Sequence, residues 1–236
     1  GQVPEQILPI DRTIRHIIDD VVPEEPFVPE DEIAEGQARC RAIRDQGQSK
    51  EQEKIFRREI VEQSHSRQLS EARLKKLIDD RRRRWIEAEL VQEGMERARR
   101  YGWNDVYTFT KAMGEQLLVK HRGAVPLVIV RPSTTEGALA EPHPGWIHGL
   151  KVTDPLIVAY GRGIVPDFPA AIGAPMDLVP IDIVANTVIA AAIRARPDKV
   201  EVFHAATSGD NPLPNTRMFE LIKGYFEENP LLNKDG

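Results

Sequence analysis

A continuous apolar run, Val125-Pro-Leu-Val-Ile-Val130, constrains the fold of this chain more than any other segment does. Such a run is typical of a strand that is buried on both faces of a parallel sheet. The segment before it, residues 106–121, has the pattern of a helix, with Asn104 or Asp105 as its N-cap and Gly123 as its stop. A helix followed by a buried strand predicts an α/β domain with a parallel sheet.

The rest of the C-terminal half continues this alternation. The patterns predict three helices and two strands, at 155–160, 182–194, 216–227, 178–180 and 200–206. The Pro-rich and Gly-rich stretch between Ser133 and Pro175 has no regular period, and long loops of this kind are usually functional. Residues 101–236 are therefore predicted to form an α/β part with loops that bind a substrate.

The two preceding segments differ in composition. Residues 30–100 are rich in Glu, Arg, Lys and Gln, and apolar residues three and four apart in their second half predict a charged helical insertion. The basic run Arg81–Arg84 lies beside acidic residues, which favours a solvated surface of mixed sign over a site for an anionic ligand. Residues 1–29 contain several prolines and predict irregular backbone around one short helix at most.

Charge and hydropathy exclude some classes of function. The formal net charge of −5, from 32 basic and 37 acidic side chains, shows no cationic excess of the kind that marks nucleic-acid-binding proteins. No apolar run approaches the roughly 20 residues of a membrane-spanning helix, although peripheral contact with a membrane is left open. The single Cys40 cannot form an internal disulfide, which fits a reducing compartment. We expect a cytoplasmic protein, and its oligomeric state is left open.

The helix predicted at 106–121 carries Tyr107 and Lys111 one turn apart on one face. A carbonyl that accepts a hydride becomes an alkoxide and needs a proton donor beside it, which a phenol can supply. A neighbouring ammonium group favours the phenolate and makes the phenol a better acid. The pair predicts hydride chemistry on a carbonyl, and the alternative interpretation is a packed aromatic residue followed by an exposed lysine. The apolar strand that follows ends in Arg131-Pro-Ser133, at the kind of strand end where α/β sheets bind ligands, which favours the catalytic interpretation.

Five ordered motifs resemble the alcohol-forming fatty acyl-CoA reductases, a branch of the extended short-chain dehydrogenase/reductases, and the bacterial type most of all. The motifs are Tyr101-Gly-Trp-Asn-Asp-Val-Tyr-Thr-Phe-Thr-Lys111, Gly114-Glu-Gln-Leu-Leu118, Val130-Arg-Pro-Ser133, Glu141-Pro-His-Pro-Gly-Trp-Ile147 and Asp177-Leu-Val-Pro-Ile-Asp182. The similarity extends from about Tyr101 to the C-terminus.

This resemblance implies the C-terminal part of a Rossmann-type doubly wound parallel sheet with a helical insertion. It implies Tyr107 as the catalytic acid, Lys111 as its partner and a contact of the nicotinamide ribose, and Pro132 and Ser133 as a turn against the nicotinamide. The implied cofactor is NADPH. The implied substrate is a fatty acyl-CoA, which is reduced to a fatty aldehyde and then to a fatty alcohol.

The Gly-rich phosphate-binding loop of that family has no counterpart in this sequence, because Gly161-Arg-Gly163 is followed by Pro166 where a third glycine is required. We therefore expect residues 1–29 to continue a truncated Rossmann domain. The Ser or Thr that usually completes the catalytic triad is expected before Gly1, so that this chain alone is expected to be inactive.

Several further residues are candidates for a role at the site. His143 and Trp146 are expected to bind substrate, and Trp146 either lines an acyl channel or simply packs. No Cys or carboxylate cluster accompanies His143 and His148, so no metal site is predicted. Asp182 is predicted to cap a helix. Glycines such as Gly161 either form hinges of a mobile lid or belong to ordinary turns.

Three other functions stay open at this level. Within the same superfamily, the chain could be a reductase of carrier-protein-bound thioesters, or a sugar-nucleotide epimerase or dehydratase. From a different class, it could be a catalytically silent module whose helical insertion serves as an interaction surface.

Overall fold

A computed structural model describes residues 9, 12–18, 26–64, 70–150, 153–166 and 173–230 of the chain. The chain divides into two compact units. Residues 7–123 form one, the helical unit, and residues 124–236 with residues 1–6 form the other, the sheet unit. Among the described residues, no helix is both long enough and apolar enough to cross a membrane.

The described part of the helical unit contains five helices. They are α1 (Ile14–Ile18), α2 (Pro29–Gln48), α3 (Lys50–Gln63), α4 (Glu71–Arg100) and α5 (Val106–His121). Serine hydroxyls cap two of them: Ser49 Oγ accepts the Gln52 N–H of α3 at 3.1 Å, and Ser70 Oγ accepts the Arg73 N–H of α4 at 3.4 Å. These caps explain why one long charged segment folds as separate helices.

Two apolar clusters hold these helices together. In the first, Phe27, Ala98, Phe109 and Met113 are buried in contact with one another. The second consists of Phe56, Leu74 and Ile78. Because Phe109 and Met113 belong to α5, this helix packs within the helical unit, which extends to Gly123.

The basic run on α4 has the surface that the sequence predicts. Arg81 Nε lies 2.9 Å from Glu59 Oε2, and the Arg81 guanidinium lies over the Phe56 ring. Arg82 reaches Glu53 at 2.8 Å and Asp79 at 2.6 Å. The prediction of a mixed-sign surface is therefore confirmed for Arg81 and Arg82.

The described part of the sheet unit contains three pairs of strands and three helices. Two pairs are parallel: β1 (Leu127–Pro132) with β5 (Val200–Ala205), and β2 (Thr134–Glu136) with β4 (Leu178–Pro180). The third pair, β3 (Pro175–Met176) with β6 (Leu213–Pro214), is antiparallel. The helices are α6 (Asp154–Gly161), α7 (Ile181–Ile193) and α8 (Asn215–Glu228). The α/β class with parallel strands is confirmed, and it agrees with a Rossmann-type domain.

Two details of this unit differ from the sequence-based expectation. The apolar strand β1 begins at Leu127, later than predicted. Ile129 is its only buried residue, because β1 pairs with one neighbour among the described strands and packs against the helix α7. The strand Thr134–Glu136 was not predicted, because its three residues are all polar and lack the alternation of apolar and polar residues that indicates a strand. The helices begin and end within one residue of their predicted bounds.

Gly161 ends α6 at a close contact with α8. A Cβ atom at this position would overlap the ring of Phe226, so the close packing of α6 on α8 requires a glycine here. We expect Gly161→Ala to destabilise the protein by about 1–3 kcal/mol, because it overpacks this contact. The measurement is the midpoint of urea unfolding.

Gly224 on α8 is the matched control, since nothing lies within 4 Å of a Cβ atom placed there. Gly224→Ala should be neutral or stabilising by up to about 1 kcal/mol, because alanine favours the helix. Equal midpoints for the two variants would contradict the packing role of Gly161.

Candidate functional site

The sequence of α5 positions Tyr107 and Lys111 through a cap and an apolar face. Asp105 caps the helix, as predicted, with its Oδ1 accepting the Thr108 N–H at 2.7 Å. The opposite face is buried through Phe109, Ala112, Met113 and Gln116. Tyr107 and Lys111 therefore both lie on the exposed face of the helix.

That exposed face is open. Tyr107 is 72% exposed, so its ring does not pack into the core of the helical unit. Gly114 follows two turns after Tyr107 on the same face, and nothing lies within 4 Å of a Cβ atom placed there. The arrangement offers a phenol and an ammonium group to a molecule lying along α5.

Ser133 lies in the sheet unit at the carboxyl end of β1. Its N–H donates to the Ala205 carbonyl at 2.9 Å. Its hydroxyl oxygen is buried; it interacts with the Asp177 carboxylate and lowers the pKa of that group, but no described residue meets it in full hydrogen-bond geometry. A buried hydroxyl of this kind can donate to or accept from a ligand. Pro132, before it, is exposed.

Asp177 binds residues that follow β5, close to the carboxyl end of β1. It accepts the Ser208 hydroxyl at 2.6 Å and the Thr207 N–H at 2.9 Å. Burial raises the pKa of Asp177, but the Ser208 and Thr207 donors, with a further contribution from the Ser133 hydroxyl, hold it below its ordinary value. The loops that follow β1 and β5 therefore meet around one carboxylate, at the edge where parallel sheets bind ligands.

His143 and Trp146 lie on a loop that closes on itself. The Ala138 N–H donates to the Trp146 carbonyl, and the Gly145 N–H returns to the Ala138 carbonyl, both at 2.8 Å. Gly145 adopts a φ of 78°, which favours glycine. Both His143 and Trp146 are exposed side chains of the sheet unit, and their assignment to substrate stays a prediction.

Asp182 has a role that its place in the sequence does not indicate. The helix α7 begins at Ile181 with Pro180 as its N-cap residue, so that Asp182 lies inside the helix, and the N-cap prediction was wrong. Its carboxylate accepts three consecutive backbone N–H groups of the candidate substrate loop, those of Leu139, Ala140 and Glu141, at 3.0, 2.9 and 3.1 Å. These hydrogen bonds lower the pKa of Asp182 to about 2.

We expect Asp182→Asn to loosen this loop, because the charge and one acceptor oxygen are lost. The amide protons of Leu139, Ala140 and Glu141 should exchange with solvent several times faster at neutral pH, as measured by hydrogen exchange. The pKa of Asp182 in the folded protein, about 2, lies below its ordinary value of 3.8. The carboxylate therefore stabilises the loop fully at pH values above 3.8, and this contribution is lost as the pH falls through about 2. Asp198→Asn, at an exposed position, is the control, and equal exchange in both variants would contradict the role of Asp182.

Comparison with known proteins identifies the family. Residues 41–188 match the NAD-binding family described as Male sterility protein. The chain is 41% identical over 173 residues to Probable fatty acyl-CoA reductase 5 of Arabidopsis thaliana, covering 72% of this chain and 35% of that protein. It is 37% identical over 153 residues to Alcohol-forming fatty acyl-CoA reductase of Simmondsia chinensis (64% and 31%), and 35% identical over 130 residues to Fatty acyl-CoA reductase 1 of Gallus gallus (54% and 25%).

The chain thus spans about a third or less of the length of these relatives. They come from plants and a bird, so the expected bacterial type finds no support in them. The matched region includes Tyr107, Lys111, Ser133 and Asp182. The chain belongs to the NAD-binding family described as Male sterility protein, the family of the fatty acyl-CoA reductases that it resembles.

Proposed function

We propose that the protein containing this chain reduces a fatty acyl-CoA with NADPH, and that Tyr107 is the proton donor. The observation that carries the proposal is the exposed face of α5, where a phenol and an ammonium group lie one turn apart inside the region matched by an NAD-binding family. The names of the relatives, which include an alcohol-forming reductase, support the acyl-CoA substrate and the alcohol product.

Each residue that the proposal assigns to the nicotinamide end of such a cofactor has suitable chemistry for that role. Lys111 is exposed and can donate to a ribose hydroxyl, and no described residue meets the buried hydroxyl of Ser133 in full hydrogen-bond geometry. Pro132 and Ser133 would line the nicotinamide. When bound, NADPH supplies the hydride.

The chemistry assigned to α5 is proton donation. The Tyr107 hydroxyl donates to the carbonyl oxygen of the thioester and neutralises the negative charge that develops there. Lys111 brings a positive charge to the same helix face, which stabilises a developing phenolate. Collapse of the resulting hemithioacetal releases the thiol and leaves an aldehyde. A second hydride and a second proton then give the alcohol.

The test is an assay of the purified full-length protein that contains this chain, with hexadecanoyl-CoA and NADPH. We expect consumption of NADPH, release of free CoA thiol, and hexadecanal or hexadecanol as the product, with two NADPH consumed for each alcohol. NADH in place of NADPH tests the choice of nucleotide. Turnover of an acyl-carrier protein or of a sugar nucleotide, but not of hexadecanoyl-CoA, would overturn the assignment, as would the absence of turnover with any of the three.

A further inference from the structure

An apolar groove of about 860 Å³ lies within the helical unit, between α2 and α4, and it reaches the first residue of α5. Its apolar wall is formed by Ile86, Leu90, Val91 and Met95 of α4 and by Val106 of α5. Its volume falls in the range of roughly 300–1,000 Å³ that is usual for small-molecule sites. The groove is therefore large enough for a ligand and not merely a packing defect.

The four apolar residues of α4 form a broad apolar stripe along the helix. Ile86 and Leu90 lie one turn apart, as do Val91 and Met95, and all four line the groove. From Ile86 to Met95 the helix rises about 13 Å. The stripe thus provides an elongated apolar surface, and Val91 is 60% exposed on it, which costs free energy unless an apolar partner covers it.

One end of the groove meets the helix that carries the proposed proton donor. A Cβ atom on Gly94 of α4 would lie 2.9 Å from Val106 Cγ2, so a glycine is what allows the start of α5 to approach α4 this closely. Val106 lines the groove, and the next residue is Tyr107. The groove therefore reaches the residue that directly precedes the phenol in α5.

The charges around the groove do not favour a charged occupant. Arg82 is paired with Glu53 and Asp79, and Arg83 with Asp80. The charged residues that line the groove are Arg44, Arg82, Arg83, Asp79 and Glu87. Because basic and acidic groups nearly offset each other along this rim, neither an anionic nor a cationic partner gains much from it. An uncharged aliphatic chain matches both the apolar wall and the compensated rim.

We propose that this groove binds the aliphatic chain of the fatty acyl thioester, with the carbonyl end at Val106 and the chain running along α4. The inference rests on the proposed function for the choice of ligand, and on the groove for its position. It assigns the recognition of chain length to α4 and to the stripe from Ile86 to Met95, in the helical unit.

The experiment compares two valine-to-tryptophan variants of the protein. Val91→Trp fills the groove, whereas Val61→Trp places the same side chain on α3, at a position that is 52% exposed and outside the groove. Equilibrium dialysis measures the affinities for hexadecanoyl-CoA and butanoyl-CoA, without need of turnover. Light scattering and thermal unfolding are recorded for both variants.

We expect Val91→Trp to lower the ratio of hexadecanoyl-CoA to butanoyl-CoA affinity about tenfold. That loss is about 1.4 kcal/mol, which corresponds to about two buried methylene groups. Val61→Trp should leave the ratio unchanged. An unchanged ratio in Val91→Trp, or the same change in both variants, would overturn the proposal.

Other outcomes separate the groove from the proposed reaction. If the wild-type protein binds hexadecanoyl-CoA but does not reduce it, the proposed function fails, and the Val91→Trp ratio still decides the groove. If Val91→Trp instead changes the oligomeric state or the unfolding temperature with an unchanged ratio, the groove is covered by another protein segment and the acyl assignment is wrong.

Discussion

Replacement of Tyr107 by phenylalanine is expected to lower the rate of hexadecanoyl-CoA reduction by about 10²–10⁴-fold, the usual contribution of a positioned general acid. The change removes one hydroxyl group and keeps the aromatic ring. Because Tyr107 is exposed and Asp105 caps the helix independently of it, the fold of α5 should not change. The turnover number should therefore fall, while binding of NADPH, measured by fluorescence titration, stays largely intact.

Tyr225 provides a matched control for this experiment. It lies on α8 and is 60% exposed, so that Tyr225→Phe removes a second exposed phenol from the same protein. We expect this variant to retain wild-type turnover. If Tyr107→Phe also retained turnover, the catalytic assignment would fail. If it lost NADPH binding instead, the phenol would be a binding group and not the proton donor.

The second large effect is expected at Arg97, in the helical unit. Its Nη1 lies 2.8 Å from Glu32 Oε1, and its Nε lies 2.8 Å from Glu93 Oε1. Tyr101 donates its hydroxyl to the other oxygen of Glu32 at 2.8 Å. The side chains of Arg97 and Glu32 are only 11% and 4% exposed. This network joins α2 to the end of α4, close to the start of α5.

The pKa values of the network agree with its geometry. Burial lowers the pKa of Arg97, but the hydrogen bonds and charges of Glu32, Glu35 and Glu93 outweigh burial and raise it. Burial, followed by the Glu32 carboxylate, raises the pKa of Tyr101. Arg97 therefore stays charged and Tyr101 stays a neutral donor at physiological pH.

We expect Arg97→Met to destabilise the helical unit by about 3–5 kcal/mol, because it leaves the Glu32 carboxylate buried without its cationic partner. The measurement is urea unfolding followed by far-ultraviolet circular dichroism. Arg57→Met is the control: Arg57 pairs with Glu71 at 2.9 Å on an exposed surface, where such pairs contribute about 0–1 kcal/mol. Similar losses in the two variants would contradict a special role of the buried network.

Local features of the site could be predicted because their causes are close in sequence. Asp105 lies three residues before the N–H that it caps, and the spacing of Tyr107 and Lys111 alone places them on one helix face. Capping and helical periodicity act over one turn, so a short stretch of sequence contains all of their physical causes. The bounds of α5 were accordingly correct at both ends.

Asp182 shows why other parts of the site escaped prediction. Its three amide partners lie 41 to 43 residues earlier in the chain, and no local pattern links a helical aspartate to such a distant loop. Ser133 was predicted as a site residue from the resemblance, but the burial of its hydroxyl was not, because it depends on the packing of the strand ends. Long-range hydrogen bonds and burial depend on how the elements pack together.

The sequence alone was thus sufficient to predict most helices and strands, the shared helix face of Tyr107 and Lys111, and the family resemblance. Each of these depends on neighbouring residues or on recognisable motifs. Packing decided which face of α5 is exposed, since Phe109 and Met113 bury the opposite one. It also created the groove beside Val106, which requires α2, α4 and α5 to meet. Surfaces formed by residues far apart in the chain exist only after those residues are brought together, and so no stretch of sequence contains them.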